Sequence, residues 1–175
     1  TEAMTMGTRI VVMKDGIIQQ VDTPQNLYNY PCNMFVGGFI GSPQMNFVDV
    51  KLSEENGNVY ATFGGTKLLV PKAKLEKSDI SKYIGKEVVL GIRPEDMYDD
   101  QLTIDSKPDS LVTAKVDLTE MMGAEYYLYI TVEGISFTAR VNQHSKTKLG
   151  DTVKLAWDMD KIHMFDKETE LAILN

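Results

Sequence analysis

Thiols and imidazoles are scarce in this chain: one cysteine, Cys32, and two histidines, His144 and His163, in 175 residues. A lone thiol builds no intrachain disulfide framework, so the fold must rest on a packed core, and the usage fits a reducing compartment. Neither histidine has a ligand partner at i+2 or i+4, and Cys32 is far from both, which argues against a zinc site. Positive charge is also short, with 18 Lys plus Arg against 25 Asp plus Glu and a formal net charge of -7. No dense Lys/Arg run offsets that balance, so nucleic acid and anionic membranes are disfavoured as partners. No secretory leader pattern is present, and no apolar run approaches the ~18 residues that a membrane-spanning helix needs. Absent too are the GxxxxGK[ST] phosphate loop, a strand followed by GxGxxG, and the GxSxG elbow, which leaves no recognisable catalytic constellation.

What is present is enough apolar material, 43% of the chain, to bury a real core. That composition predicts one domain or one domain with an appendage. The ten methionines fall mostly inside apolar runs and read as adaptable core filler. Thr1 to Met6 reads as a helix tail stopped by Gly7. Ile10–Met13 and Ile17–Val21 flank Asp15-Gly16, the strongest hairpin signal in the chain. An isolated hairpin cannot bury both faces, so it requires a neighbour supplied from upstream or from a partner. Asp22-Thr23-Pro24 starts a short helix with Leu27 and Tyr28 on its apolar face, and a second helix over about 32–40 aligns Phe35, Val36, Phe39 and Ile40. Gly37 and Gly38 inside it cost helix stability unless a backbone passes close by. Gly41-Ser42-Pro43 breaks the pattern and divides the chain into 1–41 and 42–175.

From Asn46 onward the apolar period becomes two. Strands are predicted near 46–52, 58–63, 66–70, 87–92, 111–118, 125–132, 135–141, 152–157 and 161–165, with Gly-marked turns between them. Only 77–83 looks helical. Many brief strands with such corners predict a mainly β fold, a small partly open barrel or two such lobes.

The stretch GKEVVLGIRPED, residues 85–96, joins two β-rich runs. Pro94 forces Arg93 into an extended conformation at the strand end, with Glu95 and Asp96 following, which predicts a local ion pair around a fixed guanidinium. Gly91 within the strand marks close approach or a bulge. In 125–132, Tyr126, Leu128, Ile130 and Val132 form the core face, leaving Tyr127 and Tyr129 on the other face for packing, a dimer contact or stacking on a base or sugar. The carboxylate pairs Glu54-Glu55, Asp99-Asp100 and Asp158/Asp160 read as turn formers. His144 reads as solvated and His163 as packed.

The segment TPQNLYNYPCNMFVGGFIGSPQMNF, residues 23–47, resembles the P-x-x-L-Y-x-x-P-x-x-x-F-V-A-x-F-I-G-x-P-x-M-N-F element of ATP-binding subunits of ABC importers for maltose, other oligosaccharides and glycerol 3-phosphate. GIRPEDM (91–97), VDLTEMMGAEYYLYI (116–130) and LGDTVKLAWDMDKIHMFDKETELAI (149–173) resemble later elements of that family, with Gly37 where alanine is frequent and Glu170 where glycine is usual. The resemblance implies the end of a nucleotide-binding domain over 1–41 and an OB-like, transport-associated barrel over 42–175. It implies no ATPase chemistry or cofactor in this piece, because the Walker, signature and switch-histidine motifs would lie before Thr1, with Mg-ATP bound by the parent protein. The implied partners are a second copy, permease subunits reached through the nucleotide-binding domain, and in some members a regulatory protein, at the cytoplasmic face of the membrane. Arg93, Pro94 and Glu95, with Glu120, Gly123, Tyr127 and Tyr129, are the expected structural and two-fold contact residues. Two other readings stay open. One is a small-ligand domain sensing an oxyanion or sugar; the other is a single-stranded nucleic-acid module using Tyr127, Tyr129 and Trp157.

Overall fold

A computed structural model describes residues 8–175; the helix tail expected over Thr1–Met6 lies outside the described residues. The chain opens with strands β1 (Ile10–Lys14) and β2 (Ile17–Asp22), paired with each other alone. Their turn places Asp15 and Gly16 at φ 52° and 77°, the left-handed pair that a tight hairpin demands. Helix α1 (Pro24–Asn29) starts where Thr23 Oγ1 accepts from the Asn26 amide, with Pro24 pre-setting the first helical φ. Helix α2 (Met34–Phe39) is capped in the same way by Asn33. Val12, Leu27, Val36 and Ile40 close a small core between the hairpin and these helices.

Everything after residue 45 builds two antiparallel sheets. One is six-stranded and runs β13 (Ala172–Leu174), β12 (His163–Phe165), β6 (Glu87–Ile92), β3 (Asn46–Glu55), β4 (Asn58–Phe63), β5 (Thr66–Val70). The other is five-stranded and runs β10 (Ile135–Asn142), β9 (Glu125–Val132), β8 (Leu111–Met122), β11 (Thr152–Trp157), β7 (Met97–Tyr98). Alternate residues of both sheets meet in one core: Val48, Val50 and Leu52 from β3, Leu90 and Ile92 from β6, Val112, Ala114 and Val116 from β8, Leu128, Ile130 and Val132 from β9. The mainly β, barrel-like fold predicted from the period-two pattern is the fold observed. No described helix is long and apolar enough to cross a membrane.

Three sequence expectations are corrected. The helix predicted over 77–83 is instead α3 (Lys72–Glu76), begun after Pro71, followed by a separate 3₁₀ turn at Ser81–Tyr83. A further helix, α4 (Gln101–Ser106), was not foreseen; Asp100 caps it by accepting from the Thr103 amide at 3.0 Å, a role its carboxylate-pair setting disguised. At Gly37 and Gly38 side chains, not backbone, approach closely: a Cβ on Gly37 would stand 3.4 Å from Met45 Cε and Phe165 Cζ, and one on Gly38 3.2 Å from Phe47 Cε2. Gly91 serves the same seam, since an added Cβ would collide with Met45 Sδ and meet Phe165 Cε2 at 3.1 Å. Met45, Val89 and Phe165 thus join helix α2 to the outer side of the six-stranded sheet.

Candidate functional site

Arg93 stands where β6 ends, and Pro94 opens the 3₁₀ turn Pro94–Asp96. The residue is 1% exposed. It makes no salt bridge to Glu95 or Asp96, so the predicted local ion pair does not form. The fork points away from its own turn and into the helical segment, donating from Nη1 to Ile40 O at 2.5 Å and Gly37 O at 3.4 Å, and from Nη2 to Tyr28 O at 2.9 Å. These are the C-terminal carbonyls of the two short helices, groups that no intrahelical amide satisfies. The Tyr28 ring lies over the guanidinium, 4.0 Å from its carbon. Burial lowers the Arg93 pKa while Tyr28 and Glu95 pull it back up. Both Arg93 and Pro94 are buried, so in this conformation neither stands on an outer face where a second copy of the chain could pack.

Glu95 extends the clamp outward. Tyr28 Oη donates to Glu95 Oε2, and burial followed by that bond raises the tyrosine pKa. On its other oxygen Glu95 meets Arg140 Nη2 at 3.9 Å, and Arg140 Nε lies 3.1 Å from Glu125 Oε2 without the alignment of a hydrogen bond. Arg140 therefore links the Arg93 turn to the start of β9, bringing together the two regions singled out from sequence.

Beyond Arg140, β8 and β9 form an arm. A bulge between Val116 and Leu118 displaces Asp117 from the ladder and pairs Leu118 with Tyr129, Glu120 with Tyr127 and Met122 with Glu125. Directly paired residues share a face, so Leu118, Glu120, Met122, Tyr127 and Tyr129 lie together on the outer side. Tyr127 and Tyr129 are half-buried there, and the Tyr129 hydroxyl donates to Glu120 Oε1 at 3.2 Å. Gly123 turns the arm at φ 66°.

The remaining singled-out side chains have structural roles. Trp157 is wholly buried, stacked on Phe63 at 5.8 Å and edge-on to Phe137 at 5.4 Å, so it cannot stack a base and the nucleic-acid reading loses that residue. His163 is buried with Nδ1 2.8 Å from Asn175 Oδ1, and desolvation pushes its pKa down to about 4. His144 lies exposed in its loop. Asp158 Oδ1 accepts from the Asp160 amide at 3.2 Å, a local turn bond. Asp99 accepts from Ser145 and from Thr147 Oγ1, the latter at 2.8 Å, and lines an open groove of about 1010 Å³. No described group of three His, Cys, Asp or Glu side chains is placed to hold a metal.

Two family models match this architecture: a MalK OB fold domain over residues 41–97 and a TOBE domain over 80–165. The oligosaccharides import ATP-binding protein MsmX of Bacillus subtilis is 45% identical over 99% of this chain, and the trehalose/maltose import ATP-binding protein MalK of Thermococcus litoralis 42% identical over 98%. The chain belongs to the ABC import ATP-binding protein family. It matches the C-terminal part of these proteins and spans 46% of the length of each of those two. In fold alone it also resembles the cytoplasmic molybdate-binding protein ModG, at 17% identity and a TM-score of 0.50 over 68% of this chain and 94% of that one. Within the family's GIRPE element it is Arg93 that ties barrel to helices, whereas the segment around Glu120 and Gly123 forms the exposed arm. The outward placing of Tyr127 and Tyr129 on the arm was legible in the sequence; the destination of the Arg93 fork was not, because its acceptors are main-chain carbonyls that carry no side-chain signature.

Proposed function

We propose that this chain is the regulatory and dimerising module of the ATP-binding subunit of an ABC sugar importer. Residues 1–41 end the nucleotide-binding domain and carry its linking helices; residues 42–175 are the OB-like domain. In the parent protein Mg-ATP is bound and hydrolysed by preceding segments, permease subunits are engaged through the nucleotide-binding domain, and the whole sits peripherally on the cytoplasmic face of the membrane. A regulatory protein is a further candidate partner.

The observation that carries the reading is identity of 45% across 99% of the chain to an oligosaccharide import ATP-binding protein, over a barrel without catalytic motifs. The mechanism is mechanical. Two barrels joined through their arms keep two nucleotide-binding domains at high effective concentration while these open and close. The separate small core of Val12, Leu27, Val36 and Ile40, held to the barrel by Arg93, supports a junction that transmits that movement. In the intact subunit, replacing Leu118 and Tyr129 by glutamate should lower sugar uptake strongly while the protein accumulates normally; unchanged uptake would contradict the proposed contact.

A further inference from the structure

A second concavity lies on the barrel, away from the arm and the large groove. It is a cleft of about 180 Å³ between the end of helix α1, helix α3 and the Met159–Lys161 turn, room for about six water molecules. Lys74, Lys77, Lys161 and Arg93 line it, against the carboxylates of Asp96 and Asp160 and beside His163. In a chain of net charge -7 this is a local excess of cations.

None of the three ammonium groups lies within salt-bridge distance of a described carboxylate, although Lys67, Lys107 and Lys167 elsewhere all find one. Burial lowers the pKa of Lys74 and Lys77 lowers it further, while the carboxylates of Asp160, Asp158 and Asp96 pull it back without reaching ion-pair distance. One deeper group is unfinished as well. Arg93 Nε is buried with no acceptor. Asp96, 4% exposed as a residue, lines the cleft without its carboxyl oxygens being among the fully enclosed, unpartnered atoms. An unmet donor in a buried position is costly, and Arg93 Nε beside a cleft lined by three unpaired lysines points to a missing occupant.

The chemistry of the donors narrows that occupant. Both terminal nitrogens of Arg93 are committed to carbonyls, so no planar fork is offered to a carboxylate. What remains is one N–H, lysine point charges from helix α3 with its cap and from the Met159–Lys161 turn, and the carboxyls of Asp96 and Asp160, a net cationic array suited to an anion that accepts from several directions. We propose that the cleft binds a small phosphate-bearing molecule, with Lys74, Lys77 and Lys161 on its oxygens, the Arg93 Nε–H beneath and the Asp96 carboxyl beside it. Desolvation, then Glu95, pushes Asp96 up to about 7, so its neutral acid is populated at neutral pH. The site requires neither the dimer nor the importer reading.

The test is titration of the 175-residue chain with inorganic phosphate and, separately, glucose 6-phosphate, read by amide chemical shifts. Saturable shifts centred on 74–77, 93–96 and 160–163 are expected. Lys161→Gln and Lys74→Gln should each weaken binding about tenfold, the worth of one charge-assisted bond, while exposed Lys154→Gln leaves it unchanged. Tighter binding of the sugar phosphate assigns the occupant to phosphorylated sugars, and equal binding to free phosphate; either supports the site. Absence of saturation with both probes, shifts centred elsewhere, or lysine variants that bind like the parent chain would overturn it.

Discussion

Arg93 and its neighbours show how one residue's environment decides its role. A guanidinium donating to three carbonyls is held by geometry that a lysine cannot reproduce. Arg93→Lys should therefore cost about 2 kcal/mol, and hydrogen exchange should show residues 24–40 losing protection while β3 and β6 keep theirs. Asp96 and His163 make a linked prediction about pH. The Asp96 pKa is raised to about 7 from the ordinary 3.8, by desolvation first, so folding is penalised as pH rises through that window and the penalty is relieved on acidification. His163 is lowered to about 4 from 6.5, so stability is lost as pH falls through that overlapping window. At about 1.4 kcal/mol per unit the two are each on the order of 3 to 4 kcal/mol and opposite in sign. The parent chain should thus show a nearly flat stability between about pH 7 and 4 from this pair, whereas Asp96→Asn should gain stability at neutral pH and lose it steadily toward acid. Equal dependence of stability on pH in the two proteins, measured by urea denaturation across this range, would refute this opposition.

At the scale of elements, the strands were legible because their alternation is regular and their turns carry the residues that left-handed backbone needs, as at Asn56-Gly57 and Glu133-Gly134. Helix α4 was not, because six residues give too short a period and its cap looked like half of an acidic pair. The bulge at Asp117 was not legible either: Val112, Ala114, Val116 and Leu118 alternate without interruption, yet the extra residue turns Leu118 outward to 51% exposure. That displacement creates the arm's outer face, so its apolar character could not be read from periodicity. Glu170 offers an element-level test. It sits at φ 62° in the last turn, which survives the loss of glycine because Asp166 accepts from the Glu168 and Thr169 amides and the Glu170 amide returns to Asp166 O. Glu170→Gly should relieve the left-handed strain and stabilise the chain by up to about 1 kcal/mol, visible as a higher midpoint in thermal unfolding; a lower midpoint would show that the turn gains from the side chain.

Across the whole molecule, two cores of unequal size meet at one seam. The barrel core is continuous through both sheets, while the hairpin and helices keep their own cluster and leave Val11, Met13, Ile17 and Ile18 exposed. Val11 and Met13, with Ile18 paired to Met13, share one apolar hairpin face, which the proposed junction with a preceding nucleotide-binding domain would cover. The barrel by contrast is complete, and its one apolar outward face among those singled out from sequence is the arm bearing Leu118, Met122, Tyr127 and Tyr129. Sedimentation equilibrium of the purified chain at micromolar concentration measures the central claim most directly. The account predicts a reversible dimer that Leu118→Glu converts to a folded monomer; a chain that sediments as a monomer throughout, or a dimer indifferent to that substitution, would contradict it.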